Sequence, residues 1–114
     1  MLPPEFNIQY YIGDRYELVV NPKTNDGSPY DLTGFTANFV ISDELSKTPK
    51  WSIDGLVTVD NTKSALTLVI SPSVGDQLQS GKRYYYDVEI RRSDEVYTLL
   101  RGQIAATMGV NRVA

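Results

Sequence analysis

The amino-acid sequence predicts an all-β domain, a sandwich or small barrel of seven to nine short strands with one short helical turn. Two observations predict this fold class. Apolar and polar residues alternate with a period of two along most of the chain, which is the pattern of half-buried strands. Turn-forming residues recur about every eight to twelve residues, a spacing typical of sandwiches and barrels. Helical periodicity, by contrast, is scarce.

The chain length predicts one domain that covers residues 1–114. A chain of this size can bury roughly two thirds of its unfolded surface, which is enough for one core without disulfide or metal cross-links. We expect the core to span residues 6–107. The tail, residues 108–114, carries no strand pattern, and we expect it to be flexible or docked on a partner.

Three strands are predicted in the first part of the chain. The first alternates over residues 6–10, and Gly-Asp at 13–14 turns the chain into a second strand over 15–20. Residues 21–29 are rich in turn formers and predict a loop. A third strand follows at 35–41, where the aromatic and aliphatic residues occupy alternate positions.

The middle of the chain predicts a connection and three further strands. Residues 42–49 are polar and form the connection. Strands are predicted over 51–53 and 56–59, and the Asp54-Gly55 dipeptide between them predicts a hairpin turn. Another strand covers 65–70.

A short helical turn is predicted near residues 72–78. Ser71 suits the N-cap, where a side-chain oxygen accepts a backbone N–H, and Pro72 suits the first helical position. Gly81 is expected to end the turn.

The last part of the chain predicts an antiparallel hairpin. Residues 84–90 alternate as a strand, Ser-Asp at 93–94 turns the chain, and residues 96–100 return. Gly102 is expected to mark a bulge or bend before a final strand at 104–107, because glycine inside a strand weakens it.

The composition excludes most catalytic chemistry. The chain has no cysteine, so it has no disulfide and no thiolate nucleophile, and it has no histidine, so it has no Ser-His-Asp triad and no histidine metal site. We therefore expect no enzyme, no catalytic residue, no cofactor and no metal.

The charge and hydropathy patterns exclude further partners. The formal net charge is −3, and the basic residues are scattered, with Arg91-Arg92 as the densest pair. No basic stripe typical of a nucleic-acid-binding protein is present. No apolar run approaches the ~18 residues of a membrane span, and the N-terminus lacks the pattern of a signal peptide. We expect no nucleic acid and no membrane partner, and synthesis in the cytoplasm.

Two polar sites have alternative interpretations. The Asn25-Asp26-Gly27 loop, with Asp31 nearby, could supply oxygen ligands to calcium, but the twelve-residue calcium loop is missing and the same residues make a tight turn. Asp87 and Glu89 could act as a glycosidase pair, although carboxylates on the solvated face of a strand are far more common. We favour the turn and the solvated face.

The tyrosines supply the first interface candidates. Alternation across Tyr84-Tyr85-Tyr86 sends the first and third side chains inward and Tyr85 outward. Outward tyrosines suit interfaces, because the ring buries area while the hydroxyl stays hydrated. Tyr85 and Tyr97 are therefore candidate interface residues, with a sugar-binding platform as a less favoured alternative.

Three further residues are interface candidates. Trp51 is either a core residue or an interface anchor, and the core interpretation is favoured. Tyr30 and Arg112 complete the set.

The stretch DGSPYDLTGFTANFVI, residues 26–41, predicts a crossover between two sheets. Asp26-Gly27 turns the chain, and Pro29 interrupts edge pairing. Leu32 can then pack beneath the sandwich as a plug, and Gly34 can change the backbone conformation before the next strand.

The same stretch belongs to a series of motifs that resembles a known family. The motifs YIGDRYELVV, DGSPYDLTGFTANFVI, ALTLVISPSVGDQLQSGKRYYYDVEI and VYTLLRGQI occur in the order typical of a bacteriophage domain. The chain resembles the immunoglobulin-like β-sandwich at the N-terminus of phage baseplate upper proteins and in related small virion proteins of tailed phages. The resemblance covers residues 6–107 and departs from the family at 42–51 and in the tail.

The resemblance implies a structural role. It implies an immunoglobulin-like antiparallel sandwich and a non-catalytic virion protein that docks on a capsid, neck, tail or baseplate, or serves as capsid decoration or a head fibre. Its implied partners are other virion proteins, and a homo-oligomer such as a trimer is one expected form. The alternative from another class is a carbohydrate-binding module that recognises a host surface glycan through exposed aromatic residues.

Overall fold

Alternating strands form two facing β-sheets in the computed structural model of the chain. The structure describes residues 4–46 and 48–108. Within these ranges the strands are β1 (Ile8–Tyr11), β2 (Tyr16–Val20), β3 (Thr36–Ser42), β4 (Ser52–Asp54), β5 (Leu56–Asp60), β6 (Ala65–Ile70), β7 (Arg83–Arg92) and β8 (Glu95–Thr107), with one helix, α1 (Pro72–Gly75).

The strand order confirms the predicted all-β sandwich. One sheet has five strands in the order β1-β8-β7-β3-β4, and the other has three in the order β2-β6-β5. An immunoglobulin-type sandwich has two sheets joined by Greek-key connections, and its third, sixth and seventh strands (C, F and G) share one sheet. Here β3, β7 and β8 occupy these positions in the five-stranded sheet. The topology is therefore immunoglobulin-like.

The core lies between the two sheets and follows the predicted alternation. Along β7, every second residue from Tyr84 to Ile90 is buried, while Asp87 among them and Arg91 after them are exposed. The same period of two buries Phe39 and Ile41 on β3. Burial of such side chains removes apolar area from water, which is the main stabilising contribution to the fold.

The bridge between β2 and β3 crosses from one sheet to the other, as predicted. Leu32 is the plug, with only 1% of its surface exposed. Gly27 and Gly34 both adopt positive φ, at 87° and 80°, a region that glycine enters without steric cost. The Arg92 guanidinium lies 4.2 Å from the centre of the Phe35 ring and donates to the Thr33 carbonyl, so it fastens the bridge to β7.

The helical turn is shorter than the predicted span of 72–78. The Ser71 hydroxyl accepts the Val74 N–H, and Pro72 occupies the first turn, both as predicted. Regular helix ends at Gly75, and Leu78 then packs into the core.

The Asp54-Gly55 hairpin prediction is wrong. β4 pairs with β3 in the five-stranded sheet, whereas β5 pairs with β6 in the three-stranded sheet. Gly55 is therefore the point where the chain changes sheets. A Cβ at this position would lie 2.4 Å from the Phe39 ring, so close packing explains the glycine.

The antiparallel prediction is wrong for β1. This strand pairs with β8 in parallel, from Ile8 opposite Ile104 to Tyr11 opposite Thr107. The connection that leaves β1 does not enter β8, so no hairpin constrains its direction.

The bulge predicted at Gly102 lies elsewhere. Gly102 is in regular register opposite Tyr86, and the irregularity comes where Val88 pairs with Leu100 but Glu89 pairs with Thr98. Leu99 is therefore the extra residue. The absence of a side chain at Gly102 has another cause, since a Cβ there would lie 2.0 Å from the Phe6 carbonyl oxygen.

Candidate protein-binding surfaces

The outer face of the five-stranded sheet carries a groove of about 730 Å³. Its strand residues lie on the face opposite the core, because they alternate with buried neighbours on β3 and β7. Residues of the connection between β3 and β4 line the same space, so this connection lies along the outer face. We define this outer groove by Val40, Leu45, Tyr85, Asp87, Val96 and Arg101.

Two predicted interface residues line the outer groove, Tyr97 and, on β7, Tyr85. Tyr85 lies opposite Gln103 on β8 and opposite Ser42 on β3, and its side chain is half-buried. Its flat ring thus offers apolar area at a position that solvent still reaches, as predicted from the alternation along β7.

Exposed apolar side chains flank Tyr85 in the outer groove. Leu45 is 70% exposed and Val96 is 43% exposed. Sequence reasoning missed both residues. Leu45 carried a signal, because it is the one large aliphatic residue of the polar segment 42–49. Val96 carried none, since its face depends on the bulge at Leu99.

Some charged side chains in and beside the outer groove form ion pairs, and others do not. Asp87 and Arg101 are opposite each other on β7 and β8, yet neither side chain forms an ion pair with a described residue. Burial and the negative charge of Glu89 raise the pKa of Asp87, and the positive charge of Arg101 opposes this rise. Glu89 itself pairs with Arg91 at 3.1 Å.

The register of β8 places Tyr97 on the inner side of the sheet, but 37% of its surface is exposed, so it remains a surface residue. It is opposite the buried Ile90, and its ring centre lies 6.3 Å from that of Phe35. Opposite residues of an antiparallel pair share a face. The extra residue Leu99 reverses the alternation, so Tyr97 does not share a face with Tyr85.

Tyr97 also lines a second concave surface, together with Tyr30. This tyrosine cleft, of about 400 Å³, lies beside the bulge of β8 and is defined by Pro4, Val20, Pro22, Tyr30, Tyr97 and Leu99. Both tyrosine rings pack on Phe35, with ring centres 6.2 Å and 6.3 Å from that of Phe35. The cleft is mainly apolar, although Asn21, Lys23 and Thr98 also line it, and Phe35 belongs to the core.

Trp51 is a half-buried residue that packs against the main core. Its ring centre lies 5.4 Å from that of Tyr84. This placement agrees with the favoured core interpretation and separates Trp51 from both concave surfaces. Arg112 lies outside the described residues.

The Asn25-Asp26-Gly27 loop forms a turn whose carboxylate is already used. The Asp26 side chain accepts hydrogen bonds from the Thr24 hydroxyl and from the Ser28 N–H. These bonds hold the pKa of Asp26 below its usual value. Within residues 4–46 and 48–108, no three acidic side chains come together as potential metal ligands.

The remaining predicted features have structural roles or lie on the surface. Arg91 and Arg92, the densest basic pair, each form an ion pair with a glutamate of the same hairpin. In the part of the chain that the structure describes, no helix has the length and apolar character needed to span a membrane.

No family model matches the chain, and no curated protein matches it.

Proposed function

We propose that this protein is a non-catalytic structural component of a tailed-phage virion and acts by docking on other virion proteins. The order of its sequence motifs resembles that of phage virion domains, and its immunoglobulin-like topology fits the same family. It is made in the host cytoplasm and then joins the particle, as capsid decoration, head fibre, or neck, tail or baseplate component.

The observation that carries the docking proposal is the outer groove. Leu45 of the β3–β4 connection, Val96 and the Tyr85 ring line one concavity on the outer face of the five-stranded sheet. Apolar and aromatic side chains that line one concavity are typical of protein-binding surfaces. Attachment to repeated sites on a particle would make modest single contacts long-lived.

The carbohydrate-binding alternative has one observation in its favour. Tyr85 lies beside Asp87 and Arg101, so an aromatic ring and hydrogen-bonding groups share the groove. A glycan platform, however, needs two or three aromatic rings on one face. Tyr85 and Tyr97 both line the groove, but their registers belong to opposite faces of the sheet, and docking on protein is therefore our first choice.

Light scattering and co-sedimentation test the proposal. The native mass of the purified protein is measured alone, and retention is then measured with purified capsids and, separately, with purified tails. A defined oligomer such as a trimer, or saturable binding to one particle, is expected. A monomer that binds no particle contradicts the docking proposal, and binding on a glycan array would then favour the alternative.

A further inference from the structure

We infer that the outer groove binds a partner segment that presents an arginine or lysine side chain among apolar neighbours. The cation lies against Asp87 and the Tyr85 ring, and the apolar neighbours cover Leu45 and Val96. This inference rests on the proposed docking function and specifies the chemistry of the partner.

The first argument is charge complementarity. Two acidic side chains line the groove, Glu44 of the β3–β4 connection and Asp87 of β7, and Asp54 of β4 lies at its margin opposite Val40. Arg101 is a cation that lines the groove, and Arg91 at the margin is already paired with Glu89. The excess of negative charge favours a cationic occupant and disfavours an anionic one.

The second argument is the state of Asp87. Its carboxylate makes no hydrogen bond with any described residue. Although Asp87 is an exposed residue, partial burial of its carboxylate and the negative charge of Glu89 raise its pKa above the usual value. An ionised carboxylate in such a place gains more from a cationic partner than a fully hydrated one does.

The third argument is the apolar surface around the carboxylate. Leu45 and Val96 are exposed hydrophobic residues, and both line the groove with Tyr85. The methylene groups of an arginine or lysine can pack on these side chains while the charged end reaches Asp87. The face of a tyrosine ring also attracts cations.

The test uses two tripeptides as probes of the ¹⁵N-labelled full chain. Acetyl-Leu-Arg-Val-amide carries the cation, and acetyl-Leu-citrulline-Val-amide has nearly the same shape without the charge. We expect the arginine peptide to shift the amide signals of residues on β3, β7 and β8 that line the groove, with about tenfold higher affinity than the citrulline peptide.

Two variants test the role of the carboxylate. Asp87→Asn should lower the affinity for the arginine peptide to that for the citrulline peptide. Asp76→Asn, which removes the same charge from an exposed position after α1, should change neither affinity. Equal binding of the two peptides by the native protein, shifts outside the groove, or no shifts with either peptide would overturn the inference.

The outcomes separate this inference from the docking proposal. If the native protein binds capsids or tails but does not prefer the arginine peptide, docking is supported and the groove chemistry is wrong. If the arginine peptide binds in the groove but no particle retains the protein, the groove chemistry is supported and the virion role fails.

Discussion

Three consecutive tyrosines have three different environments, which shows how much a single position in a strand decides. The Tyr84 hydroxyl accepts the Gln79 N–H at 2.8 Å, and the Tyr86 hydroxyl donates to the Phe6 carbonyl at 2.5 Å. Tyr84 thus forms the tyrosine corner known from immunoglobulin-like sandwiches, in which a tyrosine near the start of this strand bonds the preceding backbone. Tyr85 between them faces the outer groove.

Removal of the Tyr84 hydroxyl should destabilise the fold. Tyr84→Phe leaves the Gln79 N–H without its partner, and we expect a loss of about 1–2 kcal/mol in the free energy of unfolding. Tyr85→Phe is the matched control and should cost less than about 0.5 kcal/mol. Urea unfolding of both variants measures the difference, and equal losses would contradict a role for the corner hydrogen bond.

The Asp26 turn should stabilise the fold only at pH values where its carboxylate is ionised. The folded-state pKa of Asp26 is lowered by hydrogen bonds, first of all from Thr24. A carboxylate whose folded-state pKa is lowered stabilises the fold at pH values above its unfolded-state pKa. This stabilisation is lost as the pH falls through the folded-state pKa. Asp26→Asn should therefore destabilise the protein at pH 7 but not in strong acid, as measured by thermal unfolding at several pH values.

Asp87 should show the opposite sign. Its folded-state pKa is raised, first of all by burial, so the ionised carboxylate destabilises the isolated fold above that pKa. Asp87→Asn should raise the melting temperature at pH 7, and the gain should disappear as the pH falls below the unfolded-state pKa. A variant that is less stable than the native protein at pH 7 would contradict this assignment.

At the scale of elements, close backbone approaches explain two glycines that look like turn or bulge signals. Gly55 lets the crossover pass the Phe39 ring, and Gly102 lets the segment before β1 lie against β8. The Phe6 N–H donates to the Arg101 carbonyl at this point, which continues the pairing of β1 with β8. Neither glycine has positive φ, so packing and not backbone conformation requires them.

Gly102→Ala should therefore displace the segment that precedes β1. The new Cβ would lie 2.0 Å from the Phe6 carbonyl oxygen, and we expect a loss of about 2–3 kcal/mol in unfolding free energy. Gly81→Ala is the comparison, since it meets no atom within 4 Å and its cost of about 1 kcal/mol comes from φ alone. Urea unfolding and amide exchange of β1 test this, and a Gly102 variant as stable as the Gly81 variant would contradict it.

At the scale of the whole molecule, the two outer faces of the sandwich offer a matched comparison. Leu45 and Val96 line the outer groove, while Val19 and Leu56 are 56% and 54% exposed on the three-stranded sheet. All four lie outside the core, so their replacement by polar residues should change stability little.

Polar replacements should separate docking from folding. Leu45→Ser with Val96→Thr should reduce retention on the particle that binds the native protein by tenfold or more, about 1.4 kcal/mol, because the buried apolar contact is lost. Val19→Thr with Leu56→Ser should retain full binding. Co-sedimentation measures the retention of both variants on the particle. A larger loss of retention in the second variant would indicate that the docking surface lies on the three-stranded sheet.

Local sequence patterns determined the fold class and most of the core. The period of two along β3 and β7, the cap at Ser71 and the plug at Leu32 depend on residues within a few positions of one another. Such features follow from backbone geometry and local burial, which a sequence displays directly. The same patterns were sufficient to place Tyr85 on the outer face.

Only the tertiary structure decided which strands pair and which side chains share a surface. The parallel pairing of β1, the change of sheets at Gly55 and the extra residue Leu99 all depend on partners distant in sequence. The extra residue turns Tyr97 inward, and the groove joins Leu45 to Asp87 and Arg101 across three strands. Alternation specifies the two faces of a strand, but pairing and register, which are set by packing of the whole molecule, decide what each face meets.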